Sequence, residues 1–169
     1  LISFHLKALS LVPDAAIPLF YASAMMASVV VALLIGRSFE HIGTHLLLAI
    51  PALSTATVLL VFSPIPGAAL AGALVWGAGV GIFETSLRAS IAESTTAAQR
   101  GQVYGTMSAV FGTAWFVGSA VMGVLYDVSI GHIVAYVVIV EAAALIAYIW
   151  MYRSRIAVRF QEGIGDLIS

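Results

Sequence analysis

Five long apolar segments in succession leave this chain few folds to choose from. They cover about residues 17–35, 46–62, 68–91, 97–126 and 133–152. Each is close to the roughly 20 residues a helix needs to cross bilayer hydrocarbon. None shows the short apolar–polar alternation of a lipid-facing barrel strand, so helices are the expected element. Only 9% of the 169 residues are charged, against about 25% in an ordinary soluble domain. So few charges cannot cover this much apolar surface, and lipid is the medium the chain requires. The expected fold is all-α, a polytopic transmembrane helix bundle.

Short connections make helices adjacent in sequence antiparallel. Residues 36–43 read as a tight turn after the first segment, and 63–67 as the turn after the second. Pro51 lies inside the second segment and predicts a kink there, tolerable within a bundle. Thr96 and Gln99 have the spacing of a capping box at the start of the fourth segment. Residues 1–8 lack a basic leader and read as the end of a truncated membrane helix, not as a signal peptide. Residues 17–152 form the five-helix bundle, and 153–169 a polar cytoplasmic tail.

The basic residues test this count independently. With alternating helices, Arg37, Arg88, Arg100, Arg153, Arg155 and Arg159 fall at one face, and only Lys7 at the other. The positive-inside rule then places the C-terminus in the cytoplasm. Small residues recur four apart: Ala73, Gly77 and Gly81 in the third segment, and Gly101 with Gly105, Ser108 with Gly112, and Ser119 with Gly123 in the fourth. Such stripes let helix backbones approach closely in lipid, and they predict that the third and fourth segments are tight partners.

Residues able to carry chemistry are few. Glu84 and Arg88 stand four apart in the favourable order for a helical ion pair. They read as a structural pair pinning the cytoplasmic end, as part of a gate, or as direct participants in proton coupling or substrate binding. Glu141 lies deep in the last segment, where a charged carboxylate costs about 3 kcal/mol and needs a partner, water or a proton. It is a candidate intramembrane proton site, or a neutral, hydrogen-bonded side chain packed on a neighbour. Lys7 and Asp14 read as solvated rim charges, and His5, His45 and His132 as markers of helix ends. Tyr21 and Met25 lie one turn apart, and Trp76 and Trp115 lie inside their segments, away from the interfacial belt. These four are candidates for the wall of an apolar cavity, and the two indoles read equally well as lipid-facing bulk. Nothing has metal-ligand spacing, no basic tract points to nucleic acid, and no catalytic or cofactor motif is present. No cysteine is present either, which excludes disulfides.

Gly36-Arg37-Ser38-Phe39-Glu40-His41-Ile42-Gly43 resembles the cytoplasmic signature between the second and third helices of each half in the major facilitator superfamily. Gly36, Phe39, Glu40 and Gly43 match its pattern, while His41 departs from the usual Arg or Lys. Arg88 to Glu93, Arg100 to Gly105 and Gly118 to Asp127 resemble the tenth and eleventh helices of bacterial members and their connecting loop. The resemblance implies a C-terminal half, from the end of helix seven through helix twelve, with the N-terminal half missing. It implies alternating access by rocking of two halves, around a cavity lined by helices seven, eight, ten and eleven. Tyr21, Met25, Trp76 and Trp115 then become wall residues, and Arg37, Glu40 and Arg100 join Glu84 and Arg88 at the cytoplasmic gate. Glu141 would lie on a peripheral helix.

The expected function is secondary transport of a small organic solute, with a coupling proton as a candidate partner and a bacterial inner membrane as its setting. The rival expectation is a membrane-embedded scaffold whose helices only bind other helices.

Overall fold

The computed structural model describes residues 2–8 and 12–168, with side chains described except at 37–45 and 154–168. Among the described residues six α-helices follow one another: α1 (Ile2–Ala8), α2 (Ile17–Ile42), α3 (Ile50–Val61), α4 (Pro66–Ser94), α5 (Ala97–Val128) and α6 (Ile130–Ile168). Among the described residues, four helical stretches are long and apolar enough to cross a membrane: Asp14–Gly36, Pro66–Ser94, Ala97–Val128 and Ile130–Arg153.

The helices outrun the apolar segments that announce them. Apolarity marks where a helix crosses lipid, whereas helical hydrogen bonding continues into the polar turns beyond. The expected turn at 36–43 is therefore helical through Ile42, because the residues between the two glycines are all acceptable in a helix. The chain changes conformation at Gly43 instead. For the same reason α6 continues through the polar stretch after Arg153.

The second segment differs from expectation more sharply. Its α-helix covers only Ile50–Val61, preceded by a 3-10 stretch over Gly43–Ala49. Pro51 lies in the first turn of α3, where its missing N–H costs nothing, so it starts the helix and does not kink it. The looser rise of the 3-10 stretch, about 2 Å per residue, gives the combined segment a reach of roughly 32 Å. That length suffices to span hydrocarbon.

Helix α4 is the axle of the bundle. Its buried face is built mainly of small residues, Ala69, Gly72, Ala73, Gly77, Gly81 and Ser86, joined by Ile82 and Ile91 towards its C-terminal end. A Cβ at Gly77 would overlap the backbone carbonyl of Ala24, and one at Gly81 would lie 2.5 Å from the Ser28 oxygen. Contacts thus rise together along α2 and α4, which run parallel. Gly72 meets Val61 and Gly79 faces Leu53, so α3 runs antiparallel to α4. Ring contacts from Trp76 to Trp115 and from Phe83 to Phe111 show α5 antiparallel to α4 as well.

The partner of the Gly77–Gly81 stripe is therefore α2, not α5. Gly101, Gly105, Gly112, Gly118 and Gly123 on α5 have nothing within contact of a added Cβ, and α5 buries no residue. A smooth stripe specifies close approach but not to whom, and Ala24 and Ser28 offer a matching pair of small residues four apart on α2. Phe83, Phe111 and Trp115 hold α4 and α5 apart by a layer of rings.

The start of α5 also differs in detail. Thr96 is its N-cap residue but makes no side-chain cap to the backbone. Its Oγ1 donates instead to Gln99 Oε1 at 3.1 Å, so the two side chains satisfy each other and the box stays open. Arg100 closes the turn from the other side, donating to the Ala92 carbonyl at 3.0 Å, and the Tyr104 hydroxyl donates to Arg88 O at 3.2 Å.

Candidate functional site

A cleft of about 570 Å³ opens among α2, α3, α4 and α5, with α6 at its margin. Tyr21 and Met25 reach it from α2, Trp76 from α4 and Trp115 from α5. Tyr21 and Met25 lie one turn apart in the first half of α2, and Trp76 and Trp115 lie well inside α4 and α5. The ring centroids of Tyr21 and Trp76 are 6.2 Å apart, and those of Trp76 and Trp115 6.4 Å. The arc continues from Trp115 to Phe111 at 5.6 Å and from Phe111 to Phe83 at 5.4 Å. Tilted and offset rings at such distances attract each other, so the wall has a defined shape.

Sequence reasoning missed Phe83, Phe111, Ser54 and Thr57, which also line the cleft. A helical period would have found the first two. Phe83 lies two turns beyond Trp76, and Phe111 lies one turn before Trp115. Ser54 and Thr57 carried no such signal. Thr57 is 9% exposed, and its Oγ1 has no hydrogen-bond partner among the described residues.

Two carboxylates border this apolar space. Glu84 accepts a charged hydrogen bond from Arg88 at 3.2 Å across one helical turn. Both side chains are more than half exposed, so the pair is worth little in stability. Glu141 lines the cleft from α6 and also a second groove, of about 500 Å³, between α3 and α6. It has no hydrogen bond or ion pair among the described residues. The helix that the resemblance makes peripheral thus brings its carboxylate to the cleft.

The remaining sequence candidates lie elsewhere. Arg100 sits at the α4–α5 turn, outside the cleft. The side chains of Arg37, Glu40 and His45 fall outside the described residues. Lys7 and Asp14 are exposed as expected, and form a 3.7 Å ion pair at the opposite end of the bundle. His5 is not an interfacial residue. It is fully buried, with its ring against Phe62 at 4.8 Å and Nδ1 hydrogen-bonded to the Tyr126 hydroxyl at 2.9 Å. This cluster ties α1 to the ends of α3 and α5, which the exposed charge of neighbouring Lys7 gave no hint of.

A polytopic helical bundle with a broad apolar exterior is the form of an integral membrane protein. The chain belongs to the Major Facilitator Superfamily, whose sequence model matches residues 3–166. Members of this family are transporters and not enzymes, and the non-catalytic reading follows. An uncharacterized protein of Mycobacterium bovis and one of Mycobacterium tuberculosis are each 37% identical to it over 157 residues. That alignment covers 93% of this chain and 38% of each relative, so the chain spans well under half their length. No solved structure matches the chain.

Proposed function

We propose that the chain is the C-terminal half of a secondary transporter, from the end of helix seven through helix twelve, moving a small organic solute by alternating access. The cleft carries this reading: Tyr21, Met25, Trp76 and Trp115 converge from three helices on one apolar space of about 570 Å³. A volume of that size suits a small organic molecule. The greater length of the mycobacterial relatives supports an N-terminal half that would close the cleft. With few fixed charges in the wall, a hydrophobic or weakly polar solute fits better than a multiply charged metabolite.

In this reading Arg37, Glu40, Glu84, Arg88 and Arg100 form the cytoplasmic gate. The bonds from Arg100 to the Ala92 carbonyl and from the Tyr104 hydroxyl to the Arg88 carbonyl support it by tying the ends of α4 and α5 together, while the Glu84–Arg88 pair lies within α4. Arg88, Arg100 and Arg153 gather at one end and Lys7 at the other. By the positive-inside rule this supports a cytoplasmic C-terminus in a bacterial inner membrane. Glu141 is the candidate proton site. Its substitution Glu141→Gln is expected to abolish proton-coupled uptake at unchanged protein abundance, and unchanged coupled uptake would remove it from that role.

Cysteines placed singly at Tyr21, Trp76 and Trp115 in the full-length protein test the main reading. Labelling by a water-soluble thiol reagent, suppressed by substrate or inhibitor, is the expected result. Uniformly inert positions would overturn it in favour of a membrane-embedded scaffold.

A further inference from the structure

We infer that His5 is a proton-operated latch: neutral, it holds α1 against the ends of α3 and α5, and protonated it releases α1. The inference does not rest on the transport reading, because it concerns contacts within this chain that a scaffold would share. The imidazole is fully buried by this chain alone, so a further partner could reach it only by displacing α1, α3 or α5. Its Nδ1 lies 2.9 Å from the Tyr126 hydroxyl, the bond that joins α1 to α5. The Phe62 and Tyr126 rings stand at 75° and 81° to it, with centroids 4.8 and 5.9 Å away. Phe4 packs on Tyr126 from the same helix at 5.2 Å. Nε2 is buried as well, and has no hydrogen-bond partner among the described residues. Besides His5, α1 buries only Leu6, and the exposed Lys7–Asp14 pair adds little. This one cluster is therefore most of what holds α1.

The orphaned Nε2 fixes the chemistry. A buried N–H without an acceptor is the costlier orphan, so the neutral ring carries its proton on Nδ1 and donates it to the Tyr126 oxygen. A second proton can go only to Nε2, and it creates a cation whose new N–H has no acceptor. The ring faces of Phe62 and Tyr126 offset such a charge only in part. No carboxylate stands ready to pair with it. On η1, between α1 and α2, Asp14 is exposed and held by Lys7 at 3.7 Å, and Asp127, next to Tyr126 on α5, is exposed. Helix α3 has no ionisable residue, α4 has none before Glu84, and α2 has only Tyr21 before Arg37, its ring turned to Trp76. His132, on α6, is exposed and bonded through Nδ1 to Ser129 Oγ. The imidazolium is relieved only when α1 swings out and water reaches both nitrogens. Stability of the closed state is thus lost as pH falls, within the range of about 5 to 8 where histidine changes charge. In the proposed orientation this end of the bundle is the outer one, so external pH is what it senses.

The experiment uses the full-length protein in lipid nanodiscs, with spin labels on cysteines at Ala8 and Ile146, both exposed and on α1 and α6. Double electron–electron resonance reads the distance between them at about pH 8 and about pH 5, either side of the histidine range. One closed distance is expected at the higher pH. At the lower pH a second, displaced population should rise at least about fivefold relative to the closed one, the lower end of what an unpaired buried donor is worth. His5→Asn places an amide where Nδ1 sits, cannot take a proton, and is expected to stay closed at both pH values. His132→Asn, at the exposed histidine of the same end, is expected to keep the full response. Tyr126→Phe keeps the ring but removes the acceptor of Nδ1–H, and is expected to raise the open population already at the higher pH. A wild-type distance that ignores pH would overturn the inference, as would a response that survives in His5→Asn or vanishes in His132→Asn. So would a Tyr126→Phe variant no more open than wild type at the higher pH. The wild-type and Tyr126→Phe measurements carry the test even where His5→Asn does not fold. No uptake is read, so failure here leaves the transport reading to its own thiol-labelling test.

Discussion

Replacing Gly77 by alanine tests the seam on which the bundle turns. The new Cβ would overlap the Ala24 carbonyl, and the equivalent atom at Gly81 would lie 2.5 Å from Ser28 O. Ordinary contact begins near 3.4 Å, so at Gly81 alone α2 must retreat by about 0.9 Å. A gap of that size on a dispersion potential forfeits about a quarter to a half of each contact's attraction. Dispersion is the main force joining helices in lipid. Overpacking of this kind costs about 1–3 kcal/mol per site. Alanine also gains roughly 0.5–1 kcal/mol over glycine within a helix, so from the midpoints of the two ranges Gly77→Ala should lose about 1 kcal/mol net. Thermal unfolding of the detergent-solubilised full-length protein, followed by fluorescence-detected size exclusion, measures it. Gly67→Ala is the control, since nothing lies within 4 Å of that position, and it should be neutral or slightly stabilising. A Gly77→Ala variant as stable as wild type, or one no less stable than Gly67→Ala, would refute the close α2–α4 seam.

Other substitutions probe the remaining contacts. Tyr126→Phe strips the hydroxyl from His5 Nδ1 and leaves a buried imidazole unpaired, for a loss of about 1–3 kcal/mol; adding His5→Leu should recover part of it, and no recovery would argue against an orphaned ring. Arg100→Met removes the donor to the Ala92 carbonyl and should cost about 0.5–1.5 kcal/mol, with faster thiol labelling of a cysteine at Ser94 as the local readout. Lys7→Gln should change stability by less than about 0.5 kcal/mol, because the pair with Asp14 is exposed at 3.7 Å; a larger loss at low salt would show that the pair anchors α1.

The cleft was legible in part. Tyr21, Met25, Trp76 and Trp115 stand out because large aromatic and thioether side chains are conspicuous deep in membrane helices. Phe83 and Phe111 follow from them only when the helical period is carried one or two turns further. Glu141 was visible as a costly residue, but its neighbours were not, since nothing along α6 says which helices it will face. His5 is the reverse case: its position near a helix end suggested the membrane interface, and packing against Phe62 and Tyr126 buried it instead.

What the sequence alone determined is the set of helices and their medium. Apolar length, charge scarcity and the break at Ser63 to Gly67 are local quantities, and a backbone in lipid must satisfy its hydrogen bonds within each segment. The tertiary structure decided which helices touch. Small-residue stripes are smooth and carry no directional signal, so the Gly77–Gly81 seam could in principle have met any similar face. Only the packed bundle shows that Ala24 and Ser28 fill it, while the α5 glycines stay open. Pairing in lipid follows from the shape match of two whole surfaces, and one surface read by itself leaves its complement undetermined.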